Sequence, residues 1–133
     1  MMELGTWTLW EADGKSIVAE STEQSVVVYL WHKGVGILGH VWLFNQETDE
    51  LSINDGDMRV PQNTIVSELA YPQQVDQLFC ELSQDDGAWV IGWDGLCVAT
   101  IDHKGGVGRS ILIREDNDLA LSEEQERFSK STI

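Results

Sequence analysis

The sequence predicts an α+β domain, in which a mainly antiparallel sheet of about seven or eight strands packs against two helices. Three observations predict it: short strand-like runs separated by Gly-containing turns, one segment with helical spacing of apolar residues, and a polar C-terminal segment that begins like a helix. A chain of 133 residues can bury one hydrophobic core. Residues 1–133 are therefore expected to form a single domain.

The first half of the chain has the pattern of consecutive β-hairpins. TWTLWEA and KSIVAES flank Asp13-Gly14, a common two-residue hairpin turn. SVVVYLW and VGILGHVWLFN lie on either side of an HKG turn at residues 32–34, and LSIND adds a further short run. The β-branched residues 26–28 show little polar alternation, so the second hairpin is expected at the centre of the sheet.

Two later segments are predicted as helices. The apolar residues of the first recur at the spacing of one helical face: Val75, Leu78, Phe79 and Leu82. In the second, Ser122 and Gln125 fit a capping box. GAWVIGW, LCVATID and SILIRE are predicted as three strands between these helices. The predicted order is about four or five strands, a helix, three strands and a helix, with both helices on one face of the sheet.

The stretch HKGGVGRS, residues 103–110, resembles the phosphate-binding loop of a large ATPase family. A phosphate loop leads into a helix, whereas ILIRE follows here like a strand, and Arg109 stands where that family has lysine. A near copy, HKGVG, occupies residues 32–36. Glycines with positive φ in two matched hairpin turns explain both stretches, so no nucleotide cofactor is expected.

The order of about four antiparallel strands followed by a helix resembles the Whirly and PUR type of single-stranded nucleic-acid-binding domains. That resemblance implies a ββββα fold. The binding faces of such domains combine basic with aromatic residues. This chain has 8 Lys and Arg against 23 Asp and Glu, a formal net charge of -15. Such a charge repels a polyanion, so no nucleic-acid partner is expected.

Signatures of catalysis and of metal binding are missing from the sequence. The three histidines do not have a metal-binding spacing, and Cys80 and Cys97 fit no zinc or redox motif, so both thiols are expected to be reduced. The acidic runs lack the ligand spacing of a calcium loop. No nucleophile motif accompanies a histidine. We therefore expect neither an enzyme nor a metal or cofactor site.

The N-terminal residues lack the features of a secretory signal. No apolar run reaches the roughly 18 residues that a membrane span needs. The chain is therefore expected to be cytoplasmic and to have no membrane partner.

Small size, strong negative charge and aromatic strands together resemble the small acidic immunity proteins of bacterial toxin systems, including contact-dependent growth inhibition. The resemblance implies stoichiometric inhibition, in which acidic loops cover the cationic cleft of a toxin nuclease. The candidate partner-binding residues are acidic loop residues and one tryptophan: Glu47, Asp49, Glu50, Asp55, Asp57, Asp85, Asp86 and Trp10.

Trp10 is a candidate because strand alternation in WTLW is expected to place Trp7 and Trp10 on opposite faces, so that one ring points away from a core. Five tryptophans lie in predicted strands or at their ends, where a large ring is usually in the core: Trp10, Trp31, Trp42, Trp89 and Trp93.

Two other function classes stay open. One is a small ligand-binding domain or enzyme with a pocket between sheet and helices, which convergent carboxylates with a histidine would favour. The other is an acidic regulatory or nucleic-acid-mimic subunit, whose target would be a DNA-binding protein.

Overall fold

The described residues of the chain form two β-sheets of five strands each. The computed structural model describes residues 3–46, 77–83, 87–93, 95–113, 116 and 118–122. The strands are β1 (Gly5–Ala12), β2 (Lys15–Ser21), β3 (Ser25–His32), β4 (Gly36–Asn45), β5 (Leu78–Leu82), β6 (Trp89–Trp93), β7 (Leu96–Ile101), β8 (Gly106–Val107), β9 (Arg109–Ser110) and β10 (Leu121–Ser122). The first sheet has the order β1-β2-β3-β4-β8, and the second has the order β10-β9-β7-β6-β5.

The hairpins that the turn residues predict are present. β1 and β2 pair antiparallel around Asp13 (φ 53°) and Gly14 (φ 79°), and positive φ at both positions is what a type I′ turn requires. β3 pairs with β2 on one side and β4 on the other, so the hairpin with the β-branched run is central, as predicted. β6 and β7 form a further hairpin, in which Gly95 has a φ of 76°.

The predicted α+β class is wrong, because the described residues contain no helix and form two mixed sheets. The first predicted helix is replaced at Leu78–Leu82 by β5, which pairs antiparallel with β6. A short apolar run such as LFCEL does not distinguish helix from strand by periodicity alone, and pairing with β6 satisfies its backbone as a strand. Val75 lies outside the described residues.

The second predicted helix is also wrong over its described residues, where the structure has a strand. Leu121 and Ser122 form β10, which runs parallel to β9. The Ser122 N–H donates to Asp116 Oδ1 at 2.8 Å and its hydroxyl donates to the Ile113 carbonyl at 2.8 Å, so this serine holds a loop in place. Residues after 122 lie outside the described part of the chain. The ββββα order of Whirly and PUR domains is therefore not this fold.

The hydrophobic core lies between the two sheets. Ile17, Val28 and Leu30 of the first sheet are fully buried, as are Ile91 and Ala99 of the second. Two edge-to-face aromatic pairs cross the interface: Trp10 meets Trp89 at 5.5 Å between ring centroids, and Phe44 meets Trp93 at 5.8 Å. Both pairs have the edge-to-face geometry that aromatic rings favour, and both join the two sheets directly.

The glycine-rich stretch after β7 carries the chain from one sheet to the other. β8 pairs parallel with β4 in the first sheet, and β9 returns to pair with β7 in the second. At Gly105, which has a φ of 87°, a Cβ atom would overlap the carbonyl of Leu38. HKGGVG is thus a crossover, whereas its near copy at residues 32–36 makes the β3–β4 hairpin turn, and the expectation of two equivalent hairpins is wrong.

We expect Gly105→Ala to destabilise the fold more than Gly34→Ala. Both glycines have similar positive φ (87° and 81°), but a Cβ at Gly34 meets nothing within 4 Å, whereas at Gly105 it meets backbone. The backbone conformation alone costs about 1 kcal/mol, and the overlap raises the loss at Gly105 to about 3 kcal/mol. Urea unfolding of both variants measures the difference, and equal losses would contradict the close approach of the crossover to β4.

Candidate interaction surface

One face of the first sheet points away from the second sheet. Ile17, Ala19 and Leu30 are buried on the inner face, so their neighbours along β2 and β3 project from the opposite side. The accessible part of that side lies toward the β3–β4 turn and is called the open face. It consists of Thr6, Thr8, Glu11, Ser16, Val18, Glu20, Tyr29, Trp31, Ile37 and His40.

Strand register brings the side chains of the open face together. Glu11 pairs with Ser16, Ser16 with Trp31, and Trp31 with Ile37, which gives one row across four strands. Directly paired residues have Cβ atoms about 5 Å apart, so each row is a continuous strip. Farther along the same face Val27 and Trp42 are buried, so the open face does not extend to these residues.

Trp31 forms the apolar centre of the open face. The exposed fraction is 44% for Trp31 and 56% for its partner Ile37, and Val35 in the adjoining turn is 65% exposed. The turn is held against the β1–β2 turn, because the Lys33 N–H donates to the Gly14 carbonyl at 2.8 Å. The exposed indole therefore stands on a fixed support, as the anchor residues of binding surfaces do.

The charged groups of the open face are two carboxylates, Glu11 and Glu20. Burial raises the pKa of Tyr29, and the negative charge of Glu20 raises that pKa further. Lys15 does not neutralise this face, because its Nζ atom lies on the inner side, 5.9 Å from the centroid of the Trp89 ring. A sheet face that carries both an exposed indole and carboxylates offers the groups that bind a guanidinium or ammonium ion, through cation–π attraction and charge-assisted hydrogen bonds.

The acidic residues predicted from the sequence lie outside the described residues: Glu47, Asp49, Glu50, Asp55, Asp57, Asp85 and Asp86. Their role in partner contact stays a prediction.

Trp10 does not lie on the open face. A β-bulge at Leu9 shifts the register between Thr8 and Trp10, so Trp7 and Trp10 both project to the inner side, and the expectation of opposite faces is wrong. Trp10 is half-buried against Trp89. Only the accessible part of its ring is open to a partner, and that contact also stays a prediction.

Trp31 was expected in the core and instead lies exposed on the open face. Trp42, Trp89 and Trp93 are buried as expected. The available signal was strand alternation: if Leu30 faces the core, Trp31 beside it faces outward, and it stands at the end of a strand just before a turn.

The cysteines and histidines give no candidate active site within the described residues. Both cysteines are free, and burial raises the pKa of Cys80 to about 12 and also raises that of Cys97, with the charge of Glu81 adding to each shift. His40 makes a structural contact, with Nε2 2.8 Å from the Asp118 carbonyl oxygen. No group of three His, Cys, Asp or Glu residues in the described ranges is arranged to hold a metal ion.

Comparison with known proteins gives no relative. No family, no curated protein and no solved structure matches the chain. In the described part of the structure, no helix has the length and apolar character to cross a membrane.

We expect Glu20→Gln to lower the pKa of Tyr29. The carboxylate opposes formation of the negative tyrosinate, so removing its charge makes ionisation easier, while the larger effect of burial keeps the pKa above 10. Assigned NMR shifts of Tyr29 followed against pH measure the change. Glu23→Gln, an exposed change in the β2–β3 turn, is the control and should leave this titration unaltered.

We expect Cys80 to resist alkylation at pH 8, because a thiol with a pKa of about 12 is almost wholly protonated there. Iodoacetamide labelling followed by mass spectrometry measures the rate. Labelling in urea is the control and should be at least about tenfold faster, since unfolding returns the thiol to its ordinary pKa near 8.5. Equal rates in the folded and unfolded protein would contradict the burial of this thiol.

Proposed function

We propose that this chain is a cytoplasmic binding protein that neutralises a cationic protein partner, in the manner of an immunity protein that blocks a toxin nuclease. One observation carries the proposal: an exposed tryptophan shares a sheet face with carboxylates in a chain whose net charge is -15. The combination suits a partner whose surface is rich in arginine and lysine.

The charge and the open face contribute to different stages of binding. The net charge of -15 attracts a cationic protein over a distance of about a Debye length and speeds encounter. Once the partner is in place, Trp31 provides apolar area at low entropic cost, and Glu11 and Glu20 pair with its cations. A nuclease suits this description because its substrate cleft must be cationic to bind phosphates.

Inhibition by this route requires no chemistry from the chain. A bound acidic protein occupies the place of the nucleic acid and excludes it from the cleft. Burial raises the pKa of the Cys80 and Cys97 thiols, and a protonated thiol is a poor nucleophile, so the proposed mechanism gives neither cysteine a role.

The test uses purified products of the genes that flank the gene for this chain, taken one at a time. Binding is measured by calorimetry at several salt concentrations, and any nuclease activity of the partner is measured with and without the chain. We expect one-to-one binding that weakens as the salt concentration rises, together with loss of the partner's cleavage activity. A cationic partner that binds while its cleavage continues would contradict the inhibitory role, and absence of any binding partner would overturn the proposal.

We expect Glu11→Lys to weaken binding of that partner by about tenfold and Glu23→Lys by no more than about threefold. Both residues are exposed and both changes alter the net charge equally, but Glu23 lies in the β2–β3 turn and not on the open face. Trp31→Ala should cost about 2 kcal/mol, roughly thirtyfold. Equal losses for the two charge reversals would mean that the overall field acts without the open face.

A further inference from the structure

The outer edge of β1 is a second feature of the first sheet that a partner can use. β1 is the end strand, eight residues long, and its neighbour in the sheet is β2. Among the described residues, no strand pairs with the other side of β1. Most of its residues are exposed, including Thr6, Thr8 and Glu11. An unpaired edge of this length is a template for an added strand.

The register identifies the backbone groups that point outward. In a two-residue hairpin turn the residues that flank it, here Ala12 and Lys15, form a hydrogen-bonded pair. Hydrogen-bonded and non-hydrogen-bonded pairs then alternate along an antiparallel ladder. The non-hydrogen-bonded pairs of this ladder are Thr6 with Glu20, Thr8 with Val18 and Glu11 with Ser16. The N–H and C=O groups of Thr6, Thr8 and Glu11 are directed away from β2.

The second sheet ends on the same side of the molecule. Its edge strand β5 packs beside β1. Leu4 before β1 is 46% exposed and Leu82 at the end of β5 is 44% exposed. The side of the sandwich where both sheets end thus combines unpaired backbone groups with exposed aliphatic side chains, which is a suitable surface for an extended peptide.

We infer that β1 accepts an extended segment of the cationic partner as a sixth strand of the first sheet. The side chains of such a strand alternate between the two faces. One set lies beside Trp7 and Trp10 on the inner side and should be apolar, and the other lies beside Glu11 and should be basic. The expected segment therefore alternates apolar with basic residues, and the basic half of this pattern rests on the proposed function.

A second copy of the chain fits this edge less well. Two chains that each carry a charge of -15 repel, and pairing of β1 with itself would bring acidic residues such as Glu11 of both copies to one sheet. The β-bulge at Leu9 also interrupts the regular register that two identical strands would share.

The experiment uses a synthetic peptide of four Val-Lys repeats as the probe. Two control peptides carry N-methyl groups on alternate residues, one on the valines and the other on the lysines. Only every second N–H group of an added strand points toward β1, so one of the two peptides lacks the N–H groups that would bond to β1 and the other keeps them. The protein variants are Thr8→Pro, which removes an outward N–H at an edge position that tolerates proline, and the matched Thr8→Ala, which keeps it. Urea unfolding checks that both variants are folded.

We expect Thr8→Pro to weaken peptide binding about tenfold and Thr8→Ala to weaken it less than about twofold. One of the two N-methylated peptides should lose binding. Amide exchange at Thr6, Thr8 and Glu11 of the unmodified protein should slow about tenfold when the peptide is bound, a measurement that does not depend on how a variant folds.

Three outcomes would overturn the inference: no peptide binding, equal binding by both Thr8 variants, or unchanged amide exchange at saturation. The same amides could also become protected without peptide, to an extent that grows with protein concentration. That result would show that a second copy of the chain pairs with β1, and it would overturn the inference as well. The proposed function is judged separately, by whether Glu11→Lys weakens binding of the flanking gene product.

Discussion

The close approach of a glycine backbone to β4 is the constraint on which the rest of the architecture depends. Gly105 fits against the Leu38 carbonyl, and the Gly108 N–H donates to the His40 carbonyl at 2.6 Å. A Cβ at Gly108 would lie 2.5 Å from the Thr100 carbonyl oxygen, so the crossover is tight on both sheets. Because this segment pairs with the outer edge of β4, the first sheet ends on that side in β8, a strand of two residues, and among the described residues its one long end strand is β1.

Turn chemistry made part of the fold predictable. Asp13-Gly14 and the HKG turn at residues 32–34 fixed two hairpins, since positive-φ positions are recognisable as glycine and aspartate. The two-sheet arrangement was not predictable, because LFCEL and the short strands around Gly108 acquire their structure from partners distant in the chain. The two HKG stretches have almost the same residues and different connections, so local sequence does not determine topology.

The open face could be predicted only in part. Charge alone favoured a cationic partner, and alternation could have placed Trp31 opposite Leu30. The bulge at Leu9 could not be found by alternation, because it consists of one extra residue and reverses the side of every residue before it. It is the reason that Trp7 and Trp10 share one side and that Thr8 shares the other with Glu11.

Trp31 also gives the open face an optical property that the rest of the chain lacks. The other five tryptophans are buried or half-buried between or beside the sheets. Trp31 is therefore the indole that water and a neutral quencher such as acrylamide reach most easily, and its emission lies at the longest wavelengths. A molecule that covers the open face removes that component of the fluorescence, so the protein carries a built-in signal of occupancy that requires no attached dye.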